Sequence, residues 1–247
     1  RRAEEISGGR APNDLATRIM TTVDPQTGKA FSAKEMEDQV AIFFLAGHET
    51  SASLLGWALW CLTAAPDWGE RVALEAKEFM SLGERASFGS LEVTRNVLRE
   101  TLRLYPPVPM MVREAAMPQM FRDRKVPAGS QIVLSPWHLH RHARLWERPD
   151  EFDPSRWEPG SPTPATKDAY LPFSAGPRVC PGAGFAMAEA AILLAALMER
   201  FHFDVLEEPV PVAHLTVRAE NGIWLSVKHR PTADPQPVSR PLEAQIS

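Results

Sequence analysis

Twelve residues, Phe173-Ser174-Ala175-Gly176-Pro177-Arg178-Val179-Cys180-Pro181-Gly182-Ala183-Gly184, constrain this chain more than any other stretch. Three glycines and two prolines in that span leave a tight loop, in which glycine admits positive φ and close backbone approach. An apolar run from Phe185 to Phe201, rich in Ala, Leu and Met, follows directly, so the loop presents Cys180 at the start of a helix. The unsatisfied N–H groups and positive dipole end of a helix N-terminus stabilise a thiolate. A thiolate in an apolar pocket is one of the ways in which haem iron is held axially. An isolated cysteine beside a turn is more often a buried structural residue, so the neighbours must decide between the two readings.

A second unusual stretch lies inside a long apolar helix. Ser32-Ala33-Lys34-Glu35 reads as a capping box, and the run continues through Val40, Phe43, Phe44, Leu54, Trp57 and Leu62 until Pro66. Such a helix, about 30 residues and about 45 Å long, crosses a whole domain. Its middle, Ala46-Gly47-His48-Glu49-Thr50-Ser51, is poor helix sequence, and a carboxylate beside a hydroxyl there is costly if buried. Either Glu49 and Thr50 face solvent, or they serve proton transfer in a nearly dry site. Further on, Ser90 is placed to cap a helix from Leu91 to about Tyr105, ended by Pro106-Pro107. Within it Glu100 and Arg103 share one face, the spacing of any surface ion pair.

Together these segments resemble the cytochrome P-450 family. Phe173, Gly176, Arg178, Cys180 and Gly182 match its cysteine-ligand signature, with Ser174 where the family often has Gly. Ala46-Gly47-His48-Glu49-Thr50 matches its oxygen-activation signature, and Glu100-Thr101-Leu102-Arg103 its Glu-x-x-Arg pair, eighty residues ahead of the cysteine. Pro154-Ser155-Arg156-Trp157 is similar to the family's Pro-x-Arg-Phe segment, with Trp in the last place.

The resemblance implies a mainly α fold with small β-sheets, residues 1–229 being the C-terminal part of a single domain. The chain opens on Arg1-Arg2-Ala3 without an initiator Met, and the N-terminal part of such a domain is expected to be missing and to act as a partner segment. The implied cofactor is haem b, its iron ligated by Cys180, with Phe173, Gly176 and Gly182 shaping the loop. Arg113 and Arg178 would meet the propionates, a task suited to the planar donor fork of arginine. Ala46 and Gly47 would lie against the cofactor, Gly47 letting the helix open into a bulge; Thr50 would hydrogen-bond dioxygen and Glu49 would assist proton delivery. Glu100, Arg103 and Arg156 would form a buried structural network, and Val108, Met110 and Met111 would line an apolar substrate pocket. The implied reaction is hydroxylation or epoxidation of an apolar small molecule, with two electrons from a ferredoxin or other reductase. A peroxide-using or isomerising relative, or a non-catalytic fragment, are the other readings; the acid–alcohol pair argues against the former.

The remaining features set bounds. A net charge of −4 gives no footprint for nucleic acid, and two cysteines in unlike contexts suggest a reducing compartment. No stretch approaches about 20 uninterrupted apolar residues, so a cytoplasmic, bacterial-type form is expected, any anchor falling in the absent part. Asp14–Val23 reads as a short helix, and 66–89 as a loop followed by a charged amphipathic helix. Residues 115–136 read as a two-strand hairpin whose second strand is Gln131–Ser135; Phe203–Leu206 and Ile223–Val227 read as strands joined by a turn at 219–222. His138, His140 and His142 would align as metal ligands only on a strand, whereas Trp137–Trp146 reads equally as a short helix, and the family has no metal there. A Pro/Ser/Thr-rich loop spans 158–169, and the polar tail, 230–247, is expected to be disordered.

Overall fold

The structure, a computed structural model, describes residues 1–25, 27–161 and 167–231. Part of the 158–169 loop and, beyond Pro231, the expected disordered tail lie outside the described residues. In chain order the helices α1 (Arg2–Ser7), α2 (Leu15–Thr21), α3 (Ala33–Ala64), α4 (Pro66–Ser81) and α5 (Glu92–Leu104) come first. Strands β1 (Met111–Glu114), β2 (Gln119–Phe121), β3 (Arg124–Val126) and β4 (Gln131–Leu134) follow, then the short α6 (Pro136–Leu139). After an irregular segment come α7 (Ala183–Arg200) and strands β5 (Phe201–Val205), β6 (Pro211–Ala213), β7 (Val217–Ala219) and β8 (Leu225–His229).

Ser32 caps α3 as its sequence predicts: its hydroxyl accepts the Glu35 N–H while the Glu35 carboxylate accepts the Ser32 N–H at 2.8 Å. Only the second half of α3 is covered, from Leu54 to Leu62. There it packs with α4, α5 and α7, and Leu54, Ala58, Val72, Leu98, Leu102 and Leu194 form the dry centre. Ala190, Ala191 and Ala195 on α7 keep that side thin, which lets helices pack closely. The first half of α3 leaves Ile42, Phe44 and Leu45 more than half exposed.

Three expectations need correction. Helix α4 begins at once on Pro66, a residue suited to a first helical turn, and the irregular stretch follows it as two tight turns, Gly83–Arg85 and Phe88–Ser90. Ser90 does not cap α5; its hydroxyl turns back to the Ser87 carbonyl at 2.7 Å. Instead the Glu75 carboxylate of α4 accepts the Val93 and Thr94 N–H groups at 2.7 and 2.8 Å. A negative group there meets both the open donors and the positive end of the helix dipole, a stronger partner than a hydroxyl. Finally, the 115–136 hairpin is two nested ones. The inner pairs β2 with β3, and the outer pairs β1 with β4 in the register Met111↔Leu134, so the extended segment after α5 is itself a strand.

Strands β5 and β8 pair antiparallel; β5 starts two residues and ends one residue before its expected span, and β8 lies two residues beyond its own. The connection between them is not one turn but a second hairpin, β6 with β7. Val217 of β7 fastens it: its N–H donates to the Pro107 carbonyl at 2.9 Å and its carbonyl accepts from Ser53 Oγ at 2.8 Å.

Candidate active site

The loop before α7 closes on itself through the Cys180 N–H, which donates to the Phe173 carbonyl at 2.9 Å. A tight turn at Gly176–Arg178 sits inside it, and Gly176 has φ +66°, which glycine alone adopts at little cost. Ser174 also has a positive φ, +63°, without being glycine. Left-handed backbone costs a non-glycine residue roughly 1–2 kcal/mol. Ser174→Gly is therefore expected to raise the thermal midpoint by about 2–4 °C, since among the described residues the hydroxyl's compensating bond is a long one from Arg113. Calorimetry or a thermal melt checks this; a midpoint that falls would mean that the Arg113 contact outweighs the strain.

Cys180 is exposed at the mouth of α7, next to Gly182. A Cβ on Gly182 would stand 3.8 Å from the sulfur, so any longer side chain there would begin to cover it. Arg113 of β1 reaches across to this loop, its Nη2 3.4 Å from Ser174 Oγ, which brings one of the two expected propionate partners to the cysteine loop. Arg178 stands exposed in the loop itself. Val179 and Phe185 flank the cysteine and are exposed as well.

The polar turn of α3 lies close by. Ser51 Oγ donates to Glu189 of α7 at 3.1 Å, and Glu189 is only about 9 Å along the axis from the start of α7. Consecutive helix residues point about 100° apart, so Glu49, Thr50 and Ser51 fan out. Ser51 meets α7, Glu49 meets the β6–β7 hairpin, and Thr50 lies between. The Thr50 hydroxyl donates to the Ala46 carbonyl at 2.6 Å. The expected bulge at Gly47 is absent: α3 runs unbroken through it, its i→i−4 backbone ladder intact, and the Thr50 hydroxyl lies back along the helix on Ala46. What Gly47 supplies is bare backbone, with nothing within 4 Å of where its Cβ would be.

Glu49 Oε1 accepts from Arg218 Nε at 2.8 Å, from Arg218 Nη2 at 2.6 Å, and from the Thr216 hydroxyl in a short bond. The Thr216 hydrogen bond, then the Arg218 guanidinium, hold its pKa below the ordinary carboxylate range. Neither partner was visible in the sequence, since both lie more than 160 residues away.

Glu100, Arg103 and Arg156 do meet, fully or nearly buried. Glu100 accepts five hydrogen bonds: Arg103 Nε and Nη2 at 2.9 and 2.8 Å, Arg156 Nε at 3.2 Å, the Asp153 N–H at 3.0 Å and Trp157 Nε1 at 3.0 Å. Arg103 uses all five of its donors, the other three going to the carbonyls of His140, Pro149 and Glu151. Trp157, the departure from the family pattern, thus contributes a bond of its own. His140 extends the network: Nδ1 donates to the Arg103 carbonyl at 3.1 Å, and Nε2 accepts the Leu171 N–H at 2.8 Å. Burial lowers its pKa to about 4, so it is neutral at pH 7. With both ring nitrogens engaged it has no lone pair for a metal, and α6 with its following turn is no strand, so the three histidines do not align. Leu171 leads straight into the cysteine loop, which this network therefore props.

Of the expected substrate residues, Val108 and Met110 are exposed on one side of the extended segment, with Val112. Met111 is turned the other way and lines a cavity of roughly 300 Å³ with Val133, Leu134 and Leu171, separated from the other two. A second cavity, roughly 240 Å³, lies between α3, α4 and β5. Neither contains Cys180 or Thr50.

Comparison with known proteins identifies the family. The cytochrome P-450 family model matches residues 1–225, and the chain belongs to that family. It is 36% identical to mouse cytochrome P-450 4A10 over 209 residues, covering 82% of this chain and 41% of that one. It is 35% identical over 212 residues to the pig taurochenodeoxycholic 6 alpha-hydroxylase, covering 83% and 42%. The crystal structure of the haem domain of cytochrome P-450DA superposes with a TM-score of 0.82 at 28% identity, covering 93% of this chain and 51% of that one. The fold is thus the α-rich one with small sheets that the motifs imply. The chain spans about half or less of these proteins. The curated relatives named are mammalian, which gives no support to the expected bacterial form. Among the described residues no helix is long and apolar enough to cross a membrane.

Proposed function

We propose that the chain is the cysteine-bearing part of a haem-thiolate monooxygenase that inserts one oxygen atom of O2 into an apolar small molecule and reduces the other to water. The balance is R–H + O2 + 2 e⁻ + 2 H⁺ → R–OH + H2O, the electrons coming from a separate ferredoxin or other reductase. The observation that carries this reading is the exposed Cys180 sulfur at the start of α7, on a loop that Arg113 reaches at Ser174, with the polar turn of α3 bonded to the same helix at Glu189. Haem fits those residues: a single soft donor for its iron, exposed apolar side chains at Val179 and Phe185 for its ring, and guanidinium groups at Arg113 and Arg178 for its carboxylates. When bound, it supplies the iron centre at which dioxygen is activated.

The chain's own residues then have separable tasks. Cys180 would hold the iron, and the Phe173–Cys180 bond sets where the sulfur stands. Thr50, already donating to Ala46, offers only acceptor lone pairs, so it holds an incoming O–H until it swings off that carbonyl. Glu49 would bring protons to it. Val108 and Met110 would exclude water and contact the apolar substrate, and hydroxylation is the reaction in the pig relative's name. Glu100, Arg103 and Arg156 would act structurally. The two free cysteines fit a cytoplasmic, reducing setting.

A second reading has its own support. The uncovered apolar half of α3, with Ile42, Phe44 and Leu45, calls for a covering segment outside these residues, and such a segment would complete the enzyme. On that reading the chain alone binds haem weakly and turns nothing over.

The test is oxygenation of styrene under ¹⁸O2 by the haem-loaded protein with a reductase. One labelled oxygen in the epoxide is expected, and Thr50→Ala should lower product about a hundredfold while oxygen consumption continues as peroxide. Product oxygen drawn from water, or turnover indifferent to Thr50, would overturn the proposal.

A further inference from the structure

The face of α3 that carries Glu49 continues at Ser53 and Trp57, one and two turns on, and all three touch the same piece of chain. Ser53 Oγ and Trp57 Nε1 both donate to the Val217 carbonyl, at 2.8 and 3.4 Å. The residues on either side of Val217, Thr216 in the bend just before β7 and Arg218 within β7, both turn onto Glu49. The hairpin is thereby locked to α3 at Val217, and that lock fixes where its two donors stand. All three hydrogen bonds go to Oε1, and among the described residues none goes to Oε2. A carboxylate gripped by one oxygen keeps the other as its only place to take up and pass on a proton.

We propose that Thr216 and Arg218 are positioning residues for Glu49, pinning Oε1 so that the proton in transit travels on Oε2 alone. The proposal rests on the reading of Glu49 as the acid of the relay. Arg218 has a further consequence: beside a guanidinium, the carboxylic acid form is disfavoured, so Glu49 rests ionised and releases quickly any proton it takes up. The charged and titratable groups whose fields reach Glu49 are Arg218 from the hairpin and His48 on its own helix. Arg218 is more than half exposed, which puts this end of the relay at the edge of solvent, where protons enter. Leu215, almost wholly exposed at the hairpin tip, immediately precedes Thr216, so whatever presses on the tip moves a donor to Glu49.

Two measurements on the full-length, haem-loaded protein test this. The first is pH-difference infrared spectroscopy of the carboxylate bands, with Glu49 assigned by the band lost in Glu49→Gln. The second is the ratio of oxygenated product to peroxide per electron pair at pH 7. In Arg218→Ala the Glu49 midpoint is expected to move up towards an ordinary carboxylate, and product per electron pair to fall about tenfold. The reduced carbon monoxide spectrum and the substrate dissociation constant should not change, a separation that a merely structural role would not produce. Arg218→Lys keeps the charge but not the two-pronged grip, and is expected to restore the midpoint more than the product yield. An unmoved Glu49 midpoint in Arg218→Ala overturns the proposal on geometry. A moved midpoint with wild-type product yield overturns the positioning role, and if Glu49→Gln still uncouples the enzyme the acid assignment survives alone. Wild-type behaviour of Glu49→Gln removes the acid assignment and the positioning role with it.

Discussion

Cys180→Ala is expected to abolish the strongly red-shifted Soret band that thiolate-ligated haem shows when reduced under carbon monoxide. The loss should be complete, because the band needs a thiolate and the other cysteine cannot supply one. Cys61, the other cysteine, is buried in the α3 packing, and burial pushes its thiol far above the ordinary range, so it stays protonated and inert. His140 has both ring nitrogens committed. The substitution removes an exposed side chain, and the backbone bond from residue 180 to Phe173 survives it, so folding should be unaffected. A far-ultraviolet spectrum equal to wild type, together with the lost band, separates ligation from unfolding. Cys180→His is the complementary variant: haem is retained and the band returns to the position of histidine-ligated haem. A red-shifted band that survives in Cys180→Ala would remove the basis of the proposed function. Wild-type chain that never shows the band would favour the reading in which a further segment must complete the site.

Arg103→Ala is expected to cost about 3–5 kcal/mol, the penalty for breaking a buried ion pair by removing one partner. The full extent follows from what Arg103 leaves behind. Glu100, wholly buried, loses two charge-assisted bonds, and the carbonyls of His140, Pro149 and Glu151 lose theirs. Against a typical net stability of about 5–15 kcal/mol, such a loss leaves much of the protein unfolded at 37 °C. Arg103→Lys should recover little, since a three-donor point charge cannot serve five acceptors held in a planar fork. Denaturant titration measures the loss, and a change below about 1 kcal/mol would show that the network is not the support described. Because His140 and Leu171 join the network to the cysteine loop, haem retention is expected to fall with stability in this variant, unlike in Thr50→Ala.

Residues tied together within a few positions were legible from the start. The Ser32–Glu35 capping box and the Glu100–Arg103 pair depend on helix repeat alone, so spacing reveals them. The cysteine loop was equally plain, because glycine and proline punctuate backbone wherever they occur. Whether Glu100 and Arg103 were a surface pair or a buried one was not decided by spacing; resemblance supplied the buried reading, and the distant Asp153, Arg156 and Trp157 contacts realise it.

What the sequence by itself determined, then, is each local unit: the long capped helix with its polar turn, the paired charges of α5, and a cysteine offered at a helix start. The tertiary structure decided what each unit faces. Glu75 rather than Ser90 caps α5, and Arg218 and Thr216 hold Glu49 across more than 160 residues. Met111 turns away from Val108 and Met110 once β1 pairs with β4. The physical reason is common to all of them. A helix or a turn is stabilised by neighbours a few residues apart, whereas a carboxylate's partner is whichever donor the packing of other elements brings within 3 Å, and no spacing along the chain records that.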